Sequence, residues 1–113
     1  MRIRHILKSR DFTEIIESGR KVRGRTIAAH FKKDKDSKEL TIGIIASKRF
    51  IPTAVKRNYI RRLIYAYFRE YGDSLAPGVR AVIRVARNVG GIRKNQLARE
   101  IREELTRIFH KIS

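Results

Sequence analysis

Read at the helical period, the chain's clearest apolar stripe is Leu97, Ile101, Leu105, Ile108 and Phe109. It predicts a C-terminal amphipathic helix with Glu100, Glu103 and Glu104 on its outer side. From Arg57 onward, Ile60, Leu63, Ile64, Tyr67 and Tyr71 share one face of a second helix, which Gly72 ends. A short first helix is predicted from Phe12 to Ser18, with Phe12, Ile15 and Ile16 as its apolar face. Ser9 or Asp11 is its candidate cap, Glu14 lies near its positive end and Gly19 terminates it. Between these helices the period changes to that of strands. Arg25 to Lys33 reads as a strand around Ile27, Ala28, Ala29, His30 and Phe31, with a short strand at Lys21 to Arg23 before it. Glu39 to Ser47 is another, and Val79 to Arg87 follows the Pro77-Gly78 turn. Only the polar run Asp34 to Lys38 separates Arg25–Lys33 from Glu39–Ser47, which predicts that those two strands pair antiparallel.

This order predicts an α+β fold, an α-β sandwich with a mixed, mainly antiparallel four-stranded sheet and three helices. Helices cover one sheet face; the other face, or its junction with the first helix, is available for binding. No linker, repeat or low-complexity tract interrupts the 113 residues, so a single domain over 1–113 is expected. A hydrophobic content of 42% is too high for a disordered tail.

Charge adds a partner. The chain carries 28 Lys+Arg against 11 Asp+Glu, a formal net charge of +17. Such an excess is self-repelling and is most readily explained by a polyanion that neutralises it. The excess is concentrated where acids are missing: no Asp or Glu occurs from Leu40 to Arg69. Lys48, Arg49 and Lys56 lead into an arc of the second helix formed by Arg57, Asn58, Arg61, Arg62, Tyr65 and Arg69. Guanidinium forks suit phosphate oxygens better than point charges do. Nucleic acid is therefore the expected partner. Strands on both sides of the basic helix argue against a DNA-reading helix-turn-helix. A membrane-surface role conflicts with the core's need for the helix's apolar face. A small ribosomal RNA-binding protein is the alternative with the same charge and fold class.

Catalytic chemistry is missing from the pattern. His5, His30 and His110 are widely scattered, no His-Asp or His-Glu pair has ligand spacing, and no carboxylates cluster. A nuclease using its own acid-base or two-metal chemistry needs such a constellation. With 0 Cys there is no disulfide framework, Cys-ligated zinc or thiol catalysis, which suits a cytoplasmic protein. The opening residues show no long apolar run, so neither a secretory signal nor a membrane span is expected.

Four segments resemble, in order, the protein component of bacterial ribonuclease P. They are Leu7-Lys8-Ser9-Arg10-Asp11-Phe12, the strand Leu40 to Arg49 with its Ser47-Lys48-Arg49 ending, Ala54 to Leu63, and Val82 to Arg87. The third is the most specific, similar to the family's Ala-Val-x-Arg-Asn-Arg-Ile-Lys-Arg-Leu. The resemblance implies a left-handed β-α-β crossover carrying the basic helix, where general rules favour a right-handed one. It also implies that a catalytic RNA, holding magnesium, removes the 5′ leader of precursor tRNA. Lys48, Arg49, Lys56, Arg57, Asn58, Arg61, Arg62, Tyr65 and Arg69 would then dock on that RNA. Phe12, Ile16, Ile27, His30 and Phe31 would hold the leader, with a base stacked on Phe12. Apolar spacing alone reads Phe12 as a core residue, and Asn58 equally as a cap of the helix start. The chain departs from the family pattern at Tyr59, where an arginine is usual, and at Arg61, where a lysine is. The segment between Arg49 and Ala54, where the family usually carries a Gly-Asn pair, reads Phe50-Ile51-Pro52-Thr53 and is one residue longer. Ile16, Ile27 and His30 stand where aromatics are common. Tyr59 faces away from most of the arginines and reads as a packing residue.

Overall fold

The computed structural model describes residues 3–6 and 8–112; Leu7, which opens the first family-like segment, lies outside them. Its elements are β1 (Ile3–His5), α1 (Ser9–Ser18), β2 (Arg20–Arg23), β3 (Ile27–Lys33), β4 (Leu40–Ile45), α2 (Ala54–Tyr71), β5 (Val79–Val85) and α3 (Lys94–Ile112), with a 3-10 turn at Gly72–Ser74. The sheet has five strands in the order β1-β4-β5-β3-β2. The strand beyond the expected four is β1, too short for its alternation to be read. Pairs β1–β4 and β4–β5 are parallel while β2–β3 and β3–β5 are antiparallel. The sheet is thus mixed in equal parts rather than mainly antiparallel.

The expected pairing of β3 with β4 does not form, because β5 lies between them. Five of the seven residues of β5 are buried, and a strand apolar on both sides belongs in the middle of a sheet covered on both faces. The 34–39 connection arches over the start of β5. The Asp34 N–H donates to the Gly78 carbonyl at 2.7 Å. Gly78 has φ +83° and is so close that a Cβ would lie 2.2 Å from the Asp34 oxygen. Only glycine meets both conditions.

Helices α2 and α3 cover one face. Ile60, Leu63, Ile64 and Phe68 of α2 and Leu97, Ile101, Leu105, Ile108 and Phe109 of α3 pack with Ile27, Ala29, Phe31, Ile42, Ile44, Ala81 and Ile83 of the sheet. Phe68 is fully buried, whereas Tyr71, expected on the apolar face, is 48% exposed. The helix starts at a Thr53 cap, whose Oγ1 accepts from the Lys56 N–H at 3.4 Å. Asn58 lies beyond that first turn, so it does not cap the helix. On α1 the cap position is Lys8, without a side-chain cap bond, and the expected caps Ser9 and Asp11 lie inside the helix.

Glu104 corrects the expectation of an outward-facing acid. It is 3% exposed, and its carboxylate accepts from Thr26 N–H at 2.9 Å and Ile27 N–H at 3.1 Å. The turn entering β3 leaves these amides without strand partners, and a buried amide must be satisfied. Glu100 adjoins it, accepting from Arg87 at 3.0 Å and from the Thr26 hydroxyl at 3.2 Å. Glu103 remains exposed.

The opposite sheet face carries α1. Ile15 packs with Ile6 and Val82, flanked by half-buried Phe12, Ile16 and Ile45. Full burial of a side chain like Ile15 contributes roughly 1.5–3 kcal/mol. The exposed ion pairs beneath α1 contribute at most about 1 kcal/mol each. Apolar burial therefore seats α1, and its charges decide which part of the sheet below is left cationic.

Candidate RNA-binding surfaces

The first surface is α2 with the turn before it. Lys48 and Arg49 are exposed just past β4, and Arg49 lies 5.5 Å from the centre of the Phe50 ring. Two expected RNA contacts have internal work as well. Lys56 donates from Nζ to the Gly90 carbonyl at 3.1 Å and to that of Ile92, pinning the loop before α3. Arg57 donates from Nη1 to the carbonyls of Ile51 at 2.9 Å and Pro52 at 3.1 Å. These bonds satisfy the longer Phe50–Thr53 link and fix the start of the helix. Farther along, Asn58, Arg62 and Arg69 are exposed, Arg61 is half-buried, and Arg61 donates to Asn58 Oδ1 at 3.4 Å. Among the described residues none of these cations has a carboxylate partner. Tyr65 sits in this stripe under His5, ring centres 4.4 Å apart. Burial pushes the Tyr65 phenol up, with Arg61 pulling it down. Tyr59 packs toward α3, its hydroxyl donating to the Lys94 carbonyl at 3.5 Å and its ring 5.4 Å from Lys94 Nζ.

The second surface is the sheet face beneath and beside α1. Register lays its side chains out in three rows. Lys32, Arg80, Thr41 and Arg4 form one row; Lys21, His30, Val82 and Gly43 the next; Arg23, Ala28, Arg84 and Ile45 the outer one. Cations of the first row are paired with acids. Arg80 lies 3.4 Å from Glu14 and 3.9 Å from Asp11, Lys32 lies 3.4 Å from Glu14, and Arg4 lies 3.3 Å from Glu39. Lys21, Arg23 and Arg84 have no carboxylate partner among the described residues. Arg84 instead donates from Nε to Nε2 of His30 at 3.0 Å. His30 is 3% exposed. Its pKa is held below the ordinary imidazole value by burial first, then by Arg84 and Lys21. A neutral ring accepting at Nε2 carries its proton on Nδ1, which has no partner among the described residues.

The proposed leader set is therefore divided by the sheet. Phe12, Ile16 and His30 lie on the α1 side. Ile27 and Phe31 lie on the other side, in the core under α2 and α3, because strand neighbours two apart share a face. They support the groove from behind without lining it. Phe12 rests on the sheet at Gly43, where a Cβ would come 2.5 Å from its Cε1. The sequence pattern does not single out Lys21, Arg23 and Arg84. Alternation places the first two opposite Val22, but only the registers of β5 bring Arg84 beside them.

A concavity of about 720 Å³ lies between α2 and α3, near Tyr67, Tyr71 and Phe109. Glu70 and Glu103 share it with Arg102, so it lacks the cationic character of the other two surfaces. Among the described residues, no helix is long and apolar enough to cross a membrane.

The profile of the Ribonuclease P family matches residues 1–111. The chain belongs to this family. It is 37% identical over 108 residues to the ribonuclease P protein component of Desulforapulum autotrophicum, a match covering 95% of this chain and 86% of that one. Its fold is similar to the RNase P protein of Staphylococcus aureus, with a TM-score of 0.80 at 22% identity over 96% of this chain and 97% of that chain. The RNase P protein of Thermotoga maritima gives a TM-score of 0.75 at 21% identity over 92% and 95% of the two chains. At these identities the solved structures speak for the fold alone. The chain reads as a protein subunit of ribonuclease P, and the ribosomal alternative is not favoured.

Proposed function

We propose that this chain docks on the catalytic RNA of ribonuclease P through Lys48, Arg49 and the outer stripe of α2, and holds the 5′ leader of precursor tRNA in the groove beside α1. Hydrolysis of the leader is the work of the RNA. The carrying observation is a contrast in charge pairing. Cations under α1 are matched by Asp11 and Glu14, while those of α2 and of the outer sheet row form no ion pair with a carboxylate among the described residues. Unmatched guanidinium and ammonium groups release counterions when they meet a phosphate backbone, and this release supplies most of the affinity.

In the leader groove, Phe12 and Ile16 supply an apolar wall, and Phe12 offers a ring for one base. Arg84, Lys21 and Arg23 track the backbone phosphates. On α2, Arg61, Arg62 and Arg69 meet phosphates while Asn58 adds a hydrogen-bonding group. Lys56 and Arg57 contribute mainly by fixing the loops that frame the helix.

Magnesium is held mainly by the RNA in this reading. The protein's donors do not fit the role: among the described residues no group of three or more His, Asp or Glu side chains converges to hold a metal ion. A cytoplasmic setting accords with this assignment. The test is multiple-turnover cleavage of a precursor tRNA by a bacterial ribonuclease P RNA at low magnesium, with and without the protein. Rescue of cleavage by the protein, and no cleavage by the protein alone, is the expected result. Specific cleavage by the RNA-free protein would overturn it.

A further inference from the structure

We propose that His5, backed by Tyr65, is a stacking platform for one unpaired nucleobase of the partner RNA, at the edge of the α2 surface. The proposal rests on the docking of that surface on the catalytic RNA and adds a site to it.

The two rings are 4.4 Å apart between centres and 17° from parallel. Tyr65 is half-buried and packs against the main core, so its position is set by α2. His5 is set independently by β1. It stands opposite Ile42 in the parallel pairing with β4, and the next residue, Ile6, donates its N–H to the Ile42 carbonyl at 2.9 Å. One face of the imidazole is thus covered by Tyr65, yet His5 as a whole is exposed. Here the outer face has no ring partner among the described residues. Because strand and helix already fix its tilt, little ordering cost remains when a flat ligand arrives.

Charge around the platform specifies that ligand. Arg61 lies one turn before Tyr65 and Arg69 one turn after it on the same helix. Neither has a carboxylate partner among the described residues. An aromatic face between two guanidinium groups matches a base flanked by its phosphates. Duplex RNA keeps its base faces stacked internally, so the match is to an unpaired nucleotide.

The test uses the full chain and a bacterial ribonuclease P RNA, with affinity measured across a salt series for His5→Ala, His5→Leu, His5→Phe and Arg61→Ala, and each variant melted beforehand. Loss of a stacked base weakens binding roughly tenfold. That loss is expected for His5→Ala and His5→Leu with the slope of log K against log salt unchanged, while His5→Phe binds like the unsubstituted chain. Arg61→Ala is expected to flatten the slope by about 1. Unchanged affinity of His5→Ala, whatever its melting temperature, would overturn the platform. Equal weakness of His5→Phe and His5→Ala would overturn stacking as its basis. If the unsubstituted chain does not bind the RNA, the docking reading fails and takes the platform with it.

Discussion

Arg84 donates its Nε–H to Nε2 of His30 at 3.0 Å, so this half-buried arginine of the groove beside α1 leans on a neutral ring rather than on an acid. Its charge stays available to a phosphate, and the arrangement depends on His30 remaining unprotonated. The folded pKa lies below the ordinary value of 6.5, so the unfolded chain binds this proton first as pH falls. The His30 contribution to stability is therefore complete above about pH 6.5 and lost progressively below it. In urea denaturation, the unsubstituted chain should lose stability between pH 6.5 and 5 more steeply than His30→Gln, whose amide oxygen also accepts from Arg84. Equal pH dependence in the two proteins would show that His30 is not the titrating group.

Phe12 and Gly43 form the second testable contact. A Cβ at position 43 would lie 2.5 Å from Cε1 and 2.7 Å from Cζ of Phe12, so Gly43→Ala must displace the ring. We expect Phe12→Ala to leave affinity for the catalytic RNA nearly intact and to weaken leader-bearing substrates by roughly 1–3 kcal/mol. Gly43→Ala should act in the same direction. A fall in melting temperature with unchanged discrimination between precursor and mature tRNA would make Phe12 a core residue.

Glu104 predicts an effect on stability rather than on RNA binding. Its carboxylate satisfies two buried backbone amides, Thr26 and Ile27, each costing roughly 1–3 kcal/mol if orphaned. Glu104→Ala is expected to lower unfolding free energy by about 3 kcal/mol, and Glu104→Gln by less, because one acceptor oxygen remains. RNA affinity of the folded fraction should not change.

Tyr59 tests the departure from the family's arginine. Its ring packs toward Lys94 and its hydroxyl reaches the start of α3. Tyr59→Ala should therefore cost more in melting temperature than in RNA affinity, and Tyr59→Arg should bind RNA modestly better through added charge. A large loss of RNA binding by a fully folded Tyr59→Ala would place the ring in the RNA interface.

Much of this architecture is legible in the chain, and the misses have identifiable causes. The helices could be placed because their stripes recur over several turns. The same stripe contains Glu104, seven residues after Leu97, yet an acid there reads as outward until the amides it binds are located. A five-residue polar run between β3 and β4 signals adjacency, but the apolar run of β5 outcompetes β4 for the place beside β3. Strand parity alone separates His30 from Ile27 and Phe31. Arg84 could not be assigned to the groove, because its neighbours are set by long-range register. The basic stripe of α2 is visible as charge, but separating Lys56 and Arg57, which bond loop carbonyls, from Arg61, Arg62 and Arg69 requires the bonds themselves.

In the proposed function, two surfaces with unpaired cations serve two different RNAs. This division of labour is tested by measuring two affinities for two double variants, Arg61→Ala with Arg62→Ala and Arg23→Ala with Arg84→Ala. One affinity is that of the protein for the catalytic RNA; the other is that of the assembled complex for precursor relative to mature tRNA. The α2 pair should weaken the first and flatten its salt slope by about 2, while leaving the precursor-to-mature ratio unchanged. The sheet pair should do the reverse, lowering the ratio with little effect on RNA-subunit binding. Parallel losses in both measurements from either pair, in folded protein, would contradict the separation of the surfaces.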